Sequence, residues 1–468
     1  MIRTTLHQYT QDRTTRRRID RRAAPLLALV ATLLTGPPAL AAQEVVTGGV
    51  AAVRPSVTLS PRLEERVVPL VRSEHRSIVA VYGESVALTV SGTLWYEIPD
   101  PASDTLGSTG VSLDELRVSF SPARFLSVDL GKFVRPTGRA LMLSPNDPFM
   151  TPVFDSLARG DLSGVGGGQT MIDVTSYLGA VSLSVVLVPA PVVPRLVETD
   201  SIWIPRLPLD QVIDDPRIAP EPVELGDVFA EPTRVVEELY RRISGGVEAG
   251  ITAGPVDVSL LYYHGIDPVP VPRARIDFPQ AAPDTYDLIF APQEAIVDSF
   301  GLVAEGVARD LTWWLDAAYV PNRTLTTTRV DPYSKRTRLE TAPTITAFAG
   351  TSYAFRPVEL RLFGEYYFSH SFLPDDVQRE TVVFPPLSAD VLALAQLRLG
   401  PASQWSVALG GIASLDDRSG VVSLSLGYDS PQGVSAAIRA PLFLGATDTD
   451  FGQYRDVVQI AGGISFRY

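Results

Sequence analysis

The 468-residue chain contains no cysteine. That excludes disulfides, zinc–thiolate sites, iron–sulfur clusters and an acylated-cysteine anchor, and a chain without thiols suits an oxidising compartment. Histidine is scarce, with 4 in the whole chain, and neither a phosphate-cradling Gly-rich loop nor an HExxH zinc motif is present. The apolar run Leu26–Leu34 falls well short of the roughly 20 residues that a membrane-spanning helix needs. Bases are outnumbered, 40 Lys and Arg against 53 Asp and Glu, for a formal net charge of -13. Phosphate backbones demand the opposite balance, so no nucleic-acid partner is expected.

The N-terminus shows where the chain goes. Arg13, Arg16, Arg17, Arg18, Arg21 and Arg22 precede the apolar run, and Ala39-Leu40-Ala41 follows it. A basic region, a short apolar stretch and a small-x-small site make residues 1–41 a secretory signal peptide, cut after Ala41. Its removal takes seven Arg and two Asp with it and leaves 33 bases against 51 acids. Residues 42–77 show no clean alternation and are expected to form a periplasmic N-terminal tail.

From Val86 a period of two begins. Val86, Leu88, Val90, Gly92, Leu94, Tyr96 and Ile98 share one face, with Ala87, Thr89, Ser91, Thr93, Trp95 and Glu97 on the other. Similar segments follow at 113–121, 124–134, 169–178, 179–188, 243–253, 256–264, 298–309, 311–320, 343–355, 357–369, 389–400, 403–413, 419–429, 432–441 and 457–468. Most run to about ten residues, the length of a tilted strand crossing a bilayer. Short connections carrying Gly, Pro, Asp or Ser alternate with long ones such as Arg135–Gly168, Pro189–Arg242 and Gly265–Val297. The expected fold is therefore all-β, a transmembrane antiparallel up-and-down β-barrel of about 16 strands, within 14–18, over residues 78–468. Trp313, Trp314, Tyr319, Tyr353, Phe355, Tyr366, Tyr367, Phe368 and Tyr468 fall toward strand ends, where aromatic girdles meet lipid headgroups.

The last strand, with Val458, Ile460, Ile464, Phe466 and Tyr468 on one parity, resembles the barrel-closing strand of bacterial outer-membrane proteins. The stretch Arg135–Phe149 resembles a segment of porin-like families. There, a Gly-Lys strand end, here Gly131-Lys132, leads through a Gly-containing loop to an Asn-Pro-x-Asp turn. In this chain the order is Asn146-Asp147-Pro148, and the family's Trp is absent. The resemblance implies the outer membrane of a diderm bacterium, insertion by the barrel-assembly machinery, and contact with outer-membrane lipid. It further implies passive diffusion of small hydrophilic solutes or ions, no cofactor, no resident metal, and a homotrimer as the common assembly.

The pore-lining candidates are Lys132, Arg135, Arg139, Glu97, Glu115, Arg117, Glu248, Glu305, Asp316, Arg361, Glu365 and Arg398. All are assigned to the parity opposite the apolar face or to the adjoining loop, where opposed charges would select among ions. The competing reading of Lys132, Arg135 and Arg139 is that they only pin the loop to the wall. Residues 189–242 form a long Pro- and acid-rich loop, with Thr233–Ile243 read as a short amphipathic helix that could narrow or cover the pore. His264 and His370 sit near strand ends with no acid and Ser at catalytic spacing, so no enzyme is expected and none of these residues is assigned as catalytic. Asp375–Asp376, Asp416–Asp417 and Asp448–Asp450 could hold a divalent ion, but such pairs are more often solvated loop charge. Two other functions fit an outer-membrane barrel: an adhesive or structural barrel whose acidic loops bind a partner, and a transporter of hydrophobic compounds. Ser, Thr, Gly, Glu and Arg on the lumen parity favour a wet interior.

Overall fold

The computed structural model describes residues 44–60, 66–82, 86–98, 108–140, 144–152, 166–192, 224–230, 242–271, 273–278, 285–331, 333–374, 377, 381–382, 389–399, 404–447, 449 and 451–467. Residues 1–43, with the expected signal peptide, Tyr468, the acids of 375–376, 448 and 450, and most of 189–242 with its expected helix lie outside them.

Every long described strand pairs antiparallel with the next. The order runs β1 (Glu44–Ser60), β2 (Arg66–Tyr82), β3 (Val86–Ile98), β4 (Ser108–Ala123), β5 (Leu126–Phe133) and β6 (Gln169–Leu178). It continues through β7 (Val181–Val188), β8 (Ser244–Ala253), β9 (Val256–Ile266), β10 (Ile296–Ala308), β11 (Leu311–Asp331) and β12 (Arg336–Phe355). Then come β13 (Leu360–Ser371), β14 (Ala389–Leu399), β15 (Trp405–Ser414), β16 (Gly420–Asp429), β17 (Val434–Leu444) and β18 (Val458–Arg467). β18 pairs back onto β1, with Val50 opposite Arg467 and Leu59 opposite Val458. Among the described residues the sheet is thus a closed ring of eighteen strands, and closure leaves no edge with unpaired backbone groups.

Two of these strands correct the sequence reading. The expected tail over 42–77 is instead β1 and most of β2, held in register from Glu44 opposite Tyr82 to Ser60 opposite Arg66. Pro55, Pro69 and scattered arginines interrupt the alternation there. An antiparallel pair tolerates these interruptions because its remaining ladder bonds stay intact. The other sixteen strands match the expected segments, with β11 and β12 running to 21 and 20 residues.

The burial pattern is inverted relative to a soluble protein. On β16, Val422, Leu424 and Leu426 face outward and are exposed, while Ser423 and Ser425 face inward. On β9, Leu260 and Tyr262 are exposed while Leu261 and Tyr263 are buried. Exposed leucines, valines and isoleucines recur on β7, β8, β14, β17 and β18. A continuous apolar surface of this kind belongs against lipid, not water. Carboxylates and hydroxyls such as Asp173, Ser184, Asp316 and Glu365 are buried on the inner side.

Connections at one end are tight. Gly179, Gly254 and Gly433 take positive φ at reversals there, and Arg309 and Glu359 adopt the left-handed region at two others. At the opposite end several connections are long, while 61–65, 332–335 and 415–419 are short. There 224–230 runs parallel to 285–290, which pairs antiparallel with 274–277. Thr326–Thr327 of the tall β11–β12 hairpin pairs with 381–382.

Candidate functional site

The lumen is occupied on one side by the loop after β5. Its described residues, 134–140 and 144–152, lie against the inner faces of strands β6 to β12, and four attachments hold them there.

Arg135 makes the first. Its Nε donates to Asp173 Oδ2 of β6 at 2.7 Å, and its Nη2 donates to Ser184 Oγ of β7 and Glu248 Oε2 of β8, both at 2.9 Å. Nη1 donates to Thr137 Oγ1 at 2.8 Å, and the guanidinium stacks over Phe149, 5.4 Å from its centroid. With its side chain 12% exposed, Arg135 spends its charge on the wall. It ties three strands to the loop root.

Asp316 of β11 makes the second. Its carboxylate accepts from the backbone N–H of Arg139 at 2.9 Å and of Ala140 at 3.4 Å, from the Ser144 hydroxyl, and from the Asn146 amide. Asn146 also donates to Ala317 O at 2.9 Å. Asp316 is fully buried beneath the loop it gathers.

The third attachment is apolar. Phe149 is fully buried, edge-on to Tyr263 of β9 at 5.5 Å, in a cluster with Phe133, Met171, Val186 and Leu261. Gly246 of β8 lies under the Phe149 ring and Gly301 of β10 under the Asn146 side chain, so neither position has room for a Cβ. Within the loop, Asp147 Oδ1 accepts from the N–H groups of Thr137 and Gly138 at 2.6 and 2.7 Å. Burial pushes the Asp147 carboxyl up to about 6, while those two N–H groups pull it back toward the ordinary carboxylate range.

Arg139 makes the fourth. It reaches Glu305 Oε1 of β10 at 2.7 Å and is 45% exposed. Here the guanidinium keeps contact with the open lumen.

The candidates divide accordingly. Arg117 of β4 is on the inner face, paired with Asp129 at 2.9 Å and stacked on Phe133. Glu115, opposite the inward Ser91, shares that face. Glu248 and Glu305 are inward and engaged by loop arginines. Glu365 of β13 is inward but buried, accepting from Trp314 Nε1 at 2.8 Å. Arg361 and Arg398 are inward and exposed at the short-turn end. Lys132 is a correction. It pairs with Leu116 and Thr170 on the outward parity of Leu130 and Ile172, and its ammonium turns back to Leu113 O. A long side chain at a strand end can stay on the apolar face while its charge finds a polar partner. The side chain of Glu97 lies outside the described residues. Phe466 faces outward on the closing strand.

Sequence reasoning left out Asp173, Ser184, Gly246 and Gly301. An acid and a serine on lumen-parity positions, with isolated glycines inside strands, are the signal of a close backbone or loop approach. Both histidines sit near strand ends. His264 Nδ1 lies 2.9 Å from Asp298, and His370 stacks near Phe368 and Phe372. Asp417 Oδ1 accepts from Ser419, closing a local turn. Among the described residues no three His, Asp or Glu side chains form a metal-holding group.

The chain matches no protein-family model and no curated protein. Among solved structures it is similar to Salmonella typhi OmpF in complex with daunomycin, at 10% identity and a TM-score of 0.44, over 91% of this chain and 97% of that one. It is similar to a loop-deletion form of OmpT, an outer membrane protein of Vibrio cholerae, at 9% identity and a TM-score of 0.39, over 91% and 99%. A mutant of the Rh. blastica porin matches at 12% identity and a TM-score of 0.37, over 91% and 100%.

Proposed function

We propose that this chain is a non-enzymatic channel of the bacterial outer membrane that lets small hydrophilic solutes and ions diffuse passively. The observation that carries this reading is the loop at 134–152, fastened by Arg135 and Asp316 to the inner wall of a closed, lipid-faced barrel. A loop so anchored narrows a lumen without needing to fill it, and fixed wall charges then sort the solutes that pass. The pore lining comprises Glu115, Arg117, Arg139, Glu248, Glu305, Arg361 and Arg398, with Glu97 on the same parity. Arg135 and Asp316 act as loop anchors behind that surface, and Glu365 is buried in the wall against Trp314. Outer-membrane lipid, the assembly machinery and the solute are its partners, and the assembly is a homotrimer.

The experiment is conductance of the full-chain protein, refolded and inserted into a planar bilayer. Discrete, stable current steps are expected. A heat-modifiable, folded barrel that never conducts would refute the channel and turn attention to the long loops as a binding surface.

A further inference from the structure

Resting on the diffusion-pore reading, we infer that the solutes this lumen favours are small anions, carboxylates and phosphates above all, although the chain as a whole is acidic. The charge a permeating solute meets is the charge it can touch. The wall under the loop is rich in acids, and six of those described are occupied. Asp129 is held by Arg117, Asp173 and Glu248 by Arg135, and Glu305 by Arg139, at 2.7 to 2.9 Å. Asp316 is wrapped by loop donors and Glu365 by Trp314. Away from the short-turn rim no described lumen carboxylate is more than a third exposed, whereas Arg117, Arg139 and Arg76 are 37%, 45% and 58% exposed.

The opposite arc, β13 to β18 and on to β2, is lined differently. Arg439 and Arg76 face inward there, amid small hydroxyls such as Ser423, Ser425 and Ser465. Among the described residues of its short-turn rim, the exposed Arg361, Arg398 and Arg467 stand against the exposed acids Glu359 and Asp429. Arg361 and Arg398 make no ion pair among the described residues. Guanidinium groups beside hydroxyls offer an oxyanion two-point donors as it sheds water. A cation passing the same wall meets, among the described residues, no cluster of exposed carboxylates to replace its hydration shell.

The test is the zero-current potential of the full-chain protein in a planar bilayer under a KCl gradient. Chloride is expected to permeate about three times faster than potassium at low salt. The ratio should fall toward one near 1 M, where the screening length shrinks to about 3 Å. Inorganic phosphate added to one side should reduce the chloride current. Replacing Arg76→Gln, Arg361→Gln and Arg398→Gln together should cut the ratio by about twofold in a barrel that remains heat-modifiable. A conducting channel with a ratio at or below one, or a ratio unmoved in the triple variant, would overturn the anion preference and leave the pore standing. A folded barrel without conductance would overturn both.

Discussion

A guanidinium shared by two carboxylates inside a protein is difficult to remove, because each acid it abandons stays in a place with little water. Arg135 is in that position and Arg139 is not, although the sequence presents them as equivalents four residues apart. Arg135→Gln would leave Asp173 and Glu248 uncompensated and should cost about 3–5 kcal/mol. Arg139→Gln loses one half-exposed pair and should cost about 1 kcal/mol or less. Thermal unfolding of the two refolded variants checks this, and equal losses would refute it. Asp147 adds a dependence on pH. Its carboxyl titrates at about 6 when folded, against an ordinary 3.8, so the docked loop binds that proton more tightly than the unfolded chain does. Stability from this group is therefore fully present below pH 3.8 and declines as pH rises toward 6, by roughly 3 kcal/mol in all. Current noise from loop motion should grow across that interval and become flat in Asp147→Asn, whose amide oxygen can still accept from Thr137 and Gly138. An unchanged pH profile in the variant would remove Asp147 from the loop's control. Parity was legible in the sequence for Glu115, Arg117, Glu248, Glu305, Arg361 and Arg398. It could not show which acids are covered, since coverage depends on a loop arriving from elsewhere in the chain.

The loop after β5 acts as an element because its contacts are spread over seven strands yet converge on two groups, the donor Arg135 and the acceptor Asp316. Asp316 is the more revealing of the two, since it gathers residues 139, 140, 144 and 146 around one carboxylate. Asp316→Ala removes the acceptor for all four donors while leaving the β11 backbone ladder untouched. The loop should then leave the wall, and single-channel conductance should rise by roughly 1.5- to 3-fold. A variant with wild-type conductance would mean that the loop does not set the aperture. Gly301→Ala should act in the same direction by displacing Asn146. The sequence marked 135–149 by its Gly, Asn, Asp and Pro content. It also marked 189–242 by its length as a loop that could narrow or cover the pore, and most of that segment lies outside the described residues. The strand elements were easier to read. Sixteen announced themselves by alternation, while β1 and β2 did not, because Pro55, Pro69 and dispersed arginines blur the period that a closed barrel needs only on average.

At the scale of the whole molecule, parity of strand number becomes a physical constraint. An up-and-down sheet can close antiparallel only with an even count, since an odd strand would have to meet its last neighbour in parallel. Here closure depends on β1, which carries 17 residues of register with β2 and bonds to β18 on its other side. If residues 42–77 were a periplasmic tail, deleting 44–60 would leave the barrel intact and conducting. In the structure described here, the same deletion leaves seventeen strands and exposes two unpaired edges, one on β2 and one on β18. Each edge bears a row of backbone donors and acceptors with no partner in hydrocarbon, at several kcal/mol per group. The shortened protein is therefore expected to give no heat-modifiable band on unheated electrophoresis and to aggregate on refolding. Deleting 44–82 removes two strands, restores an even count, and should recover a smaller fraction of folded, narrower barrel. Comparing the two deletions separates a closing strand from a dispensable tail. Full folding of the 44–60 deletion would show that the ring closes elsewhere.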